Sequence, residues 1–215
     1  MKAVKLQLAT RTLLNPEAAQ WGKVPAEELS LAGTPLQNQP SRYIRTAWAG
    51  KPLGAVRFLK AQAAHNSRDI LFRLEWADGS KDLDYGDGSV FPDAAGILFP
   101  LNGEAPLQSM GSEKAPVNAW FWRANFADGQ AQNIVAQGLG TVRQVEASPV
   151  QSRALWKDGH WLVVFARSLT ANGAAAVRLD AKKTARVAFA VWEGSSQERA
   201  GLKSFSREWR ELVIE

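Results

Sequence analysis

The chain has 215 residues, a formal net charge of +5 and no cysteine. The missing cysteine excludes iron–sulfur clusters, thiolate zinc sites and covalently attached c-type haem, each of which needs Cys ligands. Two histidines, His65 and His160, rule out a histidine-rich metal centre, and a bis-histidine haem would need both.

The length and an apolar content of 46% suit one globular domain over residues 1–215. Basic residues are interleaved with apolar ones and form no run. That speaks against nucleic acid and leaves solubility, or steering toward an acidic protein surface. No stretch reaches the ~18 apolar residues of a membrane span, and the opening MKAVKLQLATRTLL lacks the apolar centre of a signal peptide.

Residues 2–8 alternate, with Val4, Leu6 and Leu8 on one face, and predict a strand. Asn15-Pro16-Glu17 predicts the start of a short helix, which Gly22 and Pro25 end. Residues 30–41 hold Gly33, Pro35 and Pro40 and read as an irregular connection. Strands are predicted over Tyr43–Ala49 and Arg68–Trp76, the second with Ile70, Phe72, Leu74 and Trp76 on one face. The apolar run Ala94–Leu101 predicts another, as does Val117–Ala124, where Trp120 and Trp122 lie opposite Phe121. Residues 131–150, rich in Gln, Gly and small side chains, read as a long loop. Gln151–Trp156 and His160–Arg167 form a hairpin around Asp158-Gly159. Ala185–Trp192 and Trp209–Ile214 are closing strands, with a polar loop over 193–206 between them. Asp-Gly or Asn-Gly pairs at 78, 87, 102, 128, 158 and 172 punctuate about ten short strands. This pattern predicts an all-β, antiparallel β-sandwich with a few short helices.

Nucleophilic catalysis finds little support, since there is neither a Gly-x-Ser-x-Gly turn nor a cysteine. Most carboxylates that could serve a glycosidase sit in turns (Asp78, Asp87, Asp128, Asp158), where Asp suits the backbone. Asp82, Asp84 and Asp87 have the composition of a calcium loop but lack its closing bidentate Glu. The segment Phe91–Arg123 stands apart. It holds Met110, the only methionine after Met1, among Gln108, Ser109, Gly111, Ser112 and Glu113 rather than on an apolar strand face. A methionine so placed is poor packing filler. It suits a thioether ligand to haem iron, which raises the potential of the couple. Nine tryptophans add two readings: exposed platforms that stack sugars, or buried walls around a large flat cofactor. Trp120, Trp122 and Phe91 are the candidate walls, while Trp76, Trp161 and Trp192 read as core.

Taken in order, FPDAAGILFP, the Met110-Gly111-Ser112 loop, VNAWFWRA, WKDGHWLVVFARSL and FAVWEGSSQERAGLKSFSREW resemble a known group. They look like the haem b-binding gamma subunits of the ethylbenzene dehydrogenase group, whose relatives include those of dimethyl sulfide dehydrogenase, selenate reductase and chlorate reductase. These complexes belong to the dimethyl sulfoxide reductase superfamily of molybdenum enzymes. The resemblance covers residue 43 to the C-terminus.

It implies a β-sandwich like the cytochrome domains of cellobiose dehydrogenases and one non-covalent haem b with Met and Lys as axial iron ligands. Met110 carries over as the sulfur ligand. Lys203 in ERAGLKSFS matches the family's Gly-x-Lys-Ser-x-Ser segment, and Lys157 in the Trp-Lys-Asp-Gly turn is the runner-up. Only a neutral amine has a lone pair for iron, so the lysine has to be desolvated. Lys203, between Leu202 and Phe205, suits that better than a hairpin-tip lysine beside Asp158. The implied role is non-catalytic electron transfer in the periplasm. Electrons would pass between the iron–sulfur beta subunit of a complex whose alpha subunit holds molybdopterin and a soluble cytochrome c or similar carrier. A carbohydrate-binding sandwich with Trp platforms is the alternative. A stand-alone haem sensor with an exchangeable ligand is a third reading.

Overall fold

A computed structural model describes residues 1–215. In chain order it contains β1 (Lys2–Lys5), α1 (Thr10–Leu13), β2 (Glu27–Ser30), β3 (Ala32–Gly33), α2 (Arg42–Ala47), β4 (Phe58–His65) and β5 (Asp69–Ala77). There follow β6 (Ala94–Pro100), β7 (Val117–Arg123), β8 (Gln132–Ala136), β9 (Arg143–Gln144), β10 (Gln151–Lys157), β11 (His160–Ser168), β12 (Thr184–Trp192), β13 (Ser204–Phe205) and β14 (Arg210–Ile214). Short 3-10 turns lie at Ala19–Lys23 and Leu36–Asn38.

The strands build a β-sandwich. One sheet runs β10-β11-β5-β4-β1-β14, and the other runs β12-β6-β7-β8-β9. β12 serves both: Thr184–Val187 pairs with β14, and Ala188–Trp192 pairs with β6. Pairing is antiparallel throughout except at β1, which runs parallel to both of its neighbours, β4 and β14.

Strand alternation sorts the side chains. Phe72 of β5, Phe99 of β6 and Trp120 of β7 meet between the sheets, with Phe72 ring centroids 5.9 Å from Phe99 and 5.7 Å from Trp120. Each such side chain contributes roughly 1.5–3 kcal/mol by burial. Leu13, Trp21 and Val24 cover the outer face of the first sheet, on Ala64, Leu71 and Val164. The outer face of the second sheet carries Leu98, Val117, Ala119, Ala188 and Ala190, beneath Ala105, Leu107 and Phe205.

Several local expectations give way. Tyr43–Ala49 is not a strand: α2 occupies Arg42–Ala47, and Ser41 caps it by accepting from the Ile44 N–H. The cap and the preceding Pro40 outweigh a short apolar alternation. Asn15 starts no helix; its side chain accepts from the Glu17 N–H in a tight turn. Residues 131–150 hold β8 and β9 rather than a loop alone. β4 left no alternating signal because its second half is buried on both faces. Asp78-Gly79 makes no hairpin, since β5 pairs with β4 and β11. The β10–β11 hairpin stands as expected, with φ of 50° at Asp158 and 74° at Gly159, as a two-residue hairpin turn requires. No helix is long and apolar enough to cross a membrane.

Candidate functional site

Two connections meet over the outer face of the second sheet. The first joins β6 to β7 and carries Met110. Here φ is 56° at Met110 and 86° at Gly111, so two successive residues are left-handed. The Gly111 N–H donates to the Pro106 carbonyl at 2.9 Å, and the Met110 carbonyl accepts from Gly138 at 3.2 Å. A Cβ at Gly111 would lie 2.9 Å from the Ala115 oxygen and 3.0 Å from that of Ala136. Only glycine fits there. Gly111→Ala is expected to cost about 1–3 kcal/mol, read as an earlier urea midpoint, and to swing Met110 off its position.

The second connection follows β12 and carries Lys203. It is tightly held. Thr34 donates to the Lys203 carbonyl from its backbone N–H at 3.0 Å and its hydroxyl at 3.2 Å. The Glu198 carboxylate accepts from the N–H groups of Gly54 and Ala55, both at 2.9 Å. Trp209 Nε1, further on, donates to the Ala105 carbonyl at 2.8 Å and ties this segment to the Met110 loop.

These anchors place the Lys203 amine 3.6 Å from the Met110 sulfur and 5.3 Å from the centre of the Trp192 ring. Lys203 is 5% exposed. No carboxylate pairs with it, and burial alone lowers its pKa to about 8. A buried lysine normally finds an acid, because an isolated ammonium is expensive to desolvate. Here its only polar contact is a thioether, a weak acceptor. The arrangement sets a desolvated nitrogen beside a soft sulfur.

Beneath them lies the second sheet. Ala190 pairs with Gly96, and Gly96 with Phe121; in the next row Ala188 pairs with Leu98, and Leu98 with Ala119. The Trp192 ring covers Gly96, 3.6 Å from where a Cβ would lie, and Leu107 and Phe205 pack over the neighbouring row. The cavity at the pair is about 10 Å3, lined by Thr34, Leu98, Leu107, Met110, Lys203 and Phe205 among others. Leu107, Gln108 and Leu139 form its lip and also line an outer cleft of about 440 Å3.

Of the residues singled out from sequence, Met110 and Lys203 come together. Lys157 does not: it is exposed at the hairpin tip, 2.6 Å from Glu17, and that hydrogen bond and charge hold its pKa above the ordinary value. Trp120 and Trp122 lie on the opposite face of β7, in the core between the sheets. Phe121 is the β7 aromatic on the Met110 side, edge-on to Trp192 at 5.5 Å. Phe91 lies beside the base of the Lys203 loop, under the Arg199 guanidinium at 4.3 Å. None of these three walls the pair. Trp192, assigned to the core, is instead the aromatic next to the amine; its alternation with Ala188 and Ala190 was the available signal. His65 and His160 pair with opposite ends of β5, at Ile70 and Ala77, roughly 23 Å apart along the strand. They cannot share an iron. All nine tryptophans are buried or half-buried, so none stands out as a sugar platform.

The chain as a whole is similar to known proteins. The family model described as Ethylbenzene dehydrogenase matches residues 18–148 and 133–204. A Haloferax mediterranei protein described as a respiratory nitrate reductase heme subunit is 37% identical over 90% of this chain, which spans 66% of that protein's length. The chlorate reductase subunit gamma of Ideonella dechloratans is 33% identical over 96% of this chain and 82% of its own length. Among solved structures, a family 9 carbohydrate binding module from Caldicellulosiruptor kristjanssonii, in complex with glucose, aligns over 100% of this chain and 95% of its own. Its TM-score is 0.56 at 9% identity, which is a likeness of fold.

Proposed function

This chain belongs to the ethylbenzene dehydrogenase family, and from that premise we propose that it is the haem b-binding gamma subunit of a periplasmic molybdoenzyme complex. One observation carries the reading. A lysine amine, buried and without an acid partner, faces the sulfur of the only methionine after Met1 at 3.6 Å.

The donor set fits a haem iron. Burial holds the Lys203 nitrogen toward the neutral form that has a lone pair to give. Met110 offers a thioether, which favours the reduced metal. To hold an iron between them the two side chains, 3.6 Å apart, would have to part. Both are unbranched and able to do so. Leu107, Gln108 and Leu139, which separate the pair from the outer cleft, would have to move outward to admit the group. The haem would supply reversible one-electron chemistry. With Met110 and Lys203 both holding its iron, the group would offer no place to a substrate, and substrate chemistry would belong to other subunits. The fitting partners are an iron–sulfur beta subunit, a molybdopterin-containing alpha subunit and a soluble cytochrome c or similar carrier.

Absorption spectra of the haem-reconstituted chain test this directly. Wild type is expected to show a stoichiometric, six-coordinate, low-spin haem. Met110→Ala and Lys203→Ala are each expected to lose that signature, and Lys157→Ala to keep it. Loss in Lys157→Ala alone would move the nitrogen ligand to the hairpin tip. Absence of haem from the wild type would end the reading.

A further inference from the structure

A second group of side chains outside the Met110–Lys203 pair carries chemistry of its own. Asp78 follows β5, Asp93 precedes β6 and Glu193 follows β12, and each puts a carboxylate oxygen within 4.8 Å of the other two. Their exposures are 3%, 0% and 9%. None takes part in any ion pair of the chain.

Neutral donors hold most of their oxygens. Asp93 accepts from the Gly194 N–H at 2.8 Å, and from the Asp82 N–H and Trp161 Nε1, both at 2.9 Å. Glu193 accepts from the Ser196 N–H at 2.7 Å and from the Ser195 hydroxyl, while the Ser80 hydroxyl donates to Asp82 at 2.6 Å. Asp78 Oδ1 accepts from the Ser80 N–H at 3.2 Å. Asp78 Oδ2 is different: it is buried and has no hydrogen-bond partner. Trp76 Nε1 lies on that side but completes no hydrogen bond. A bare carboxylate oxygen, buried against two more carboxylates with no basic side chain, lacks a positive partner. Native proteins seldom leave such a group uncompensated.

We propose that Asp78, Asp93 and Glu193 bind a calcium ion. The donors are all oxygen, which selects a hard cation over zinc or copper. Three buried protein carboxylates suit calcium, which takes most of its six to eight ligands as oxygens from the protein, better than magnesium, which keeps several of its waters. A cleft of about 370 Å3, lined by Ala55, Ala77, Ser80 and Ser195 as well as Asp78 and Glu193, opens onto the group. It gives the ion a path in and room for waters to complete six to eight ligands.

The site also has a purpose in the fold. It joins the end of β5 and the start of β6 to the base of the connection that carries Lys203. Gly194 is pressed into that base: a Cβ there would lie 1.6 Å from the Phe91 oxygen. The ion clamps the stem of the lysine loop.

The test uses the full chain, stripped with EDTA and titrated with calcium chloride. One ion per chain is expected by calorimetry. The melting temperature is expected to rise by about 5–10 °C at a hundredfold excess over the dissociation constant. Asp78→Asn and Glu193→Gln are expected to weaken binding at least tenfold and to lose the rise. Asp158→Asn, the same change on a surface turn, is expected to keep it. No binding and no rise in the wild type overturns the proposal, and so does a full rise in Asp78→Asn. An equal rise with magnesium at the same concentration overturns the choice of calcium. The wild-type titration decides even if a variant fails to fold.

Discussion

Lys203→Met is expected to stabilise the haem-free chain, by roughly 3 kcal/mol at pH 7, while destroying nitrogen ligation in the haem-loaded one. Met fills nearly the same volume without a charge to desolvate. In the folded chain the Lys203 amine has its pKa lowered to about 8 from 10.5. Above the unfolded value the amine is neutral in both states and no penalty applies. Between the two values the unfolded chain takes up the proton first, so stability falls as pH falls. Below about 8 both states carry the proton and the whole penalty is present. The gap between variant and wild type is therefore wide at pH 7 and closes toward pH 10. Urea midpoints of both proteins across that range measure it. A variant less stable than wild type at every pH would mean the amine carries no such penalty.

Trp120→Ala is expected to cost about 3–5 kcal/mol and to leave the haem spectrum of the folded protein where it is. Trp120 is fully buried among Phe72 and Phe99, on the face of β7 turned away from Met110. Trp192→Ala should do the reverse. Half-buried, with its ring over the Lys203 amine, it should cost less stability and shift the spectrum. Denaturation and absorption on the two variants together separate core from cofactor wall. A spectral shift in Trp120→Ala would return that residue to the site.

The contrast shows what the residues could reveal before the fold was known. Strands such as Val117–Arg123 and His160–Ser168 declare themselves by runs of β-branched and aromatic residues and by the Asp-Gly turns beside them, although both of their faces are largely buried. Alternation also says that Trp120 and Trp122 share a face. It does not say which face looks at Met110, because that depends on the register of two sheets. Met110 was legible from its polar surroundings. Lys203 needed the family resemblance, since no local pattern brings together residues 93 apart. The acid cluster was least legible. Asp78 sits before a glycine and reads as a turn residue, whereas its meaning lies in Asp93 and Glu193, which only the β5, β6 and β12 ends bring near.

β1 lies between β4 and β14, with Ala3 opposite Ala63 on one side and Ile214 on the other. A chain is made from its N-terminal end, so β1 waits for a partner that is translated more than 200 residues later. Until β14 has left the ribosome, the first sheet has a gap at β1, and the first half of β12 lacks its neighbour. The join between the two sheets at β12 and β14 therefore forms late, after every other strand has been made. Lys203 lies only a few residues before β14 and reaches Met110 in that same late event. Under the proposed function, loading the haem is therefore a late step, one that waits for residue 203 and the strand behind it.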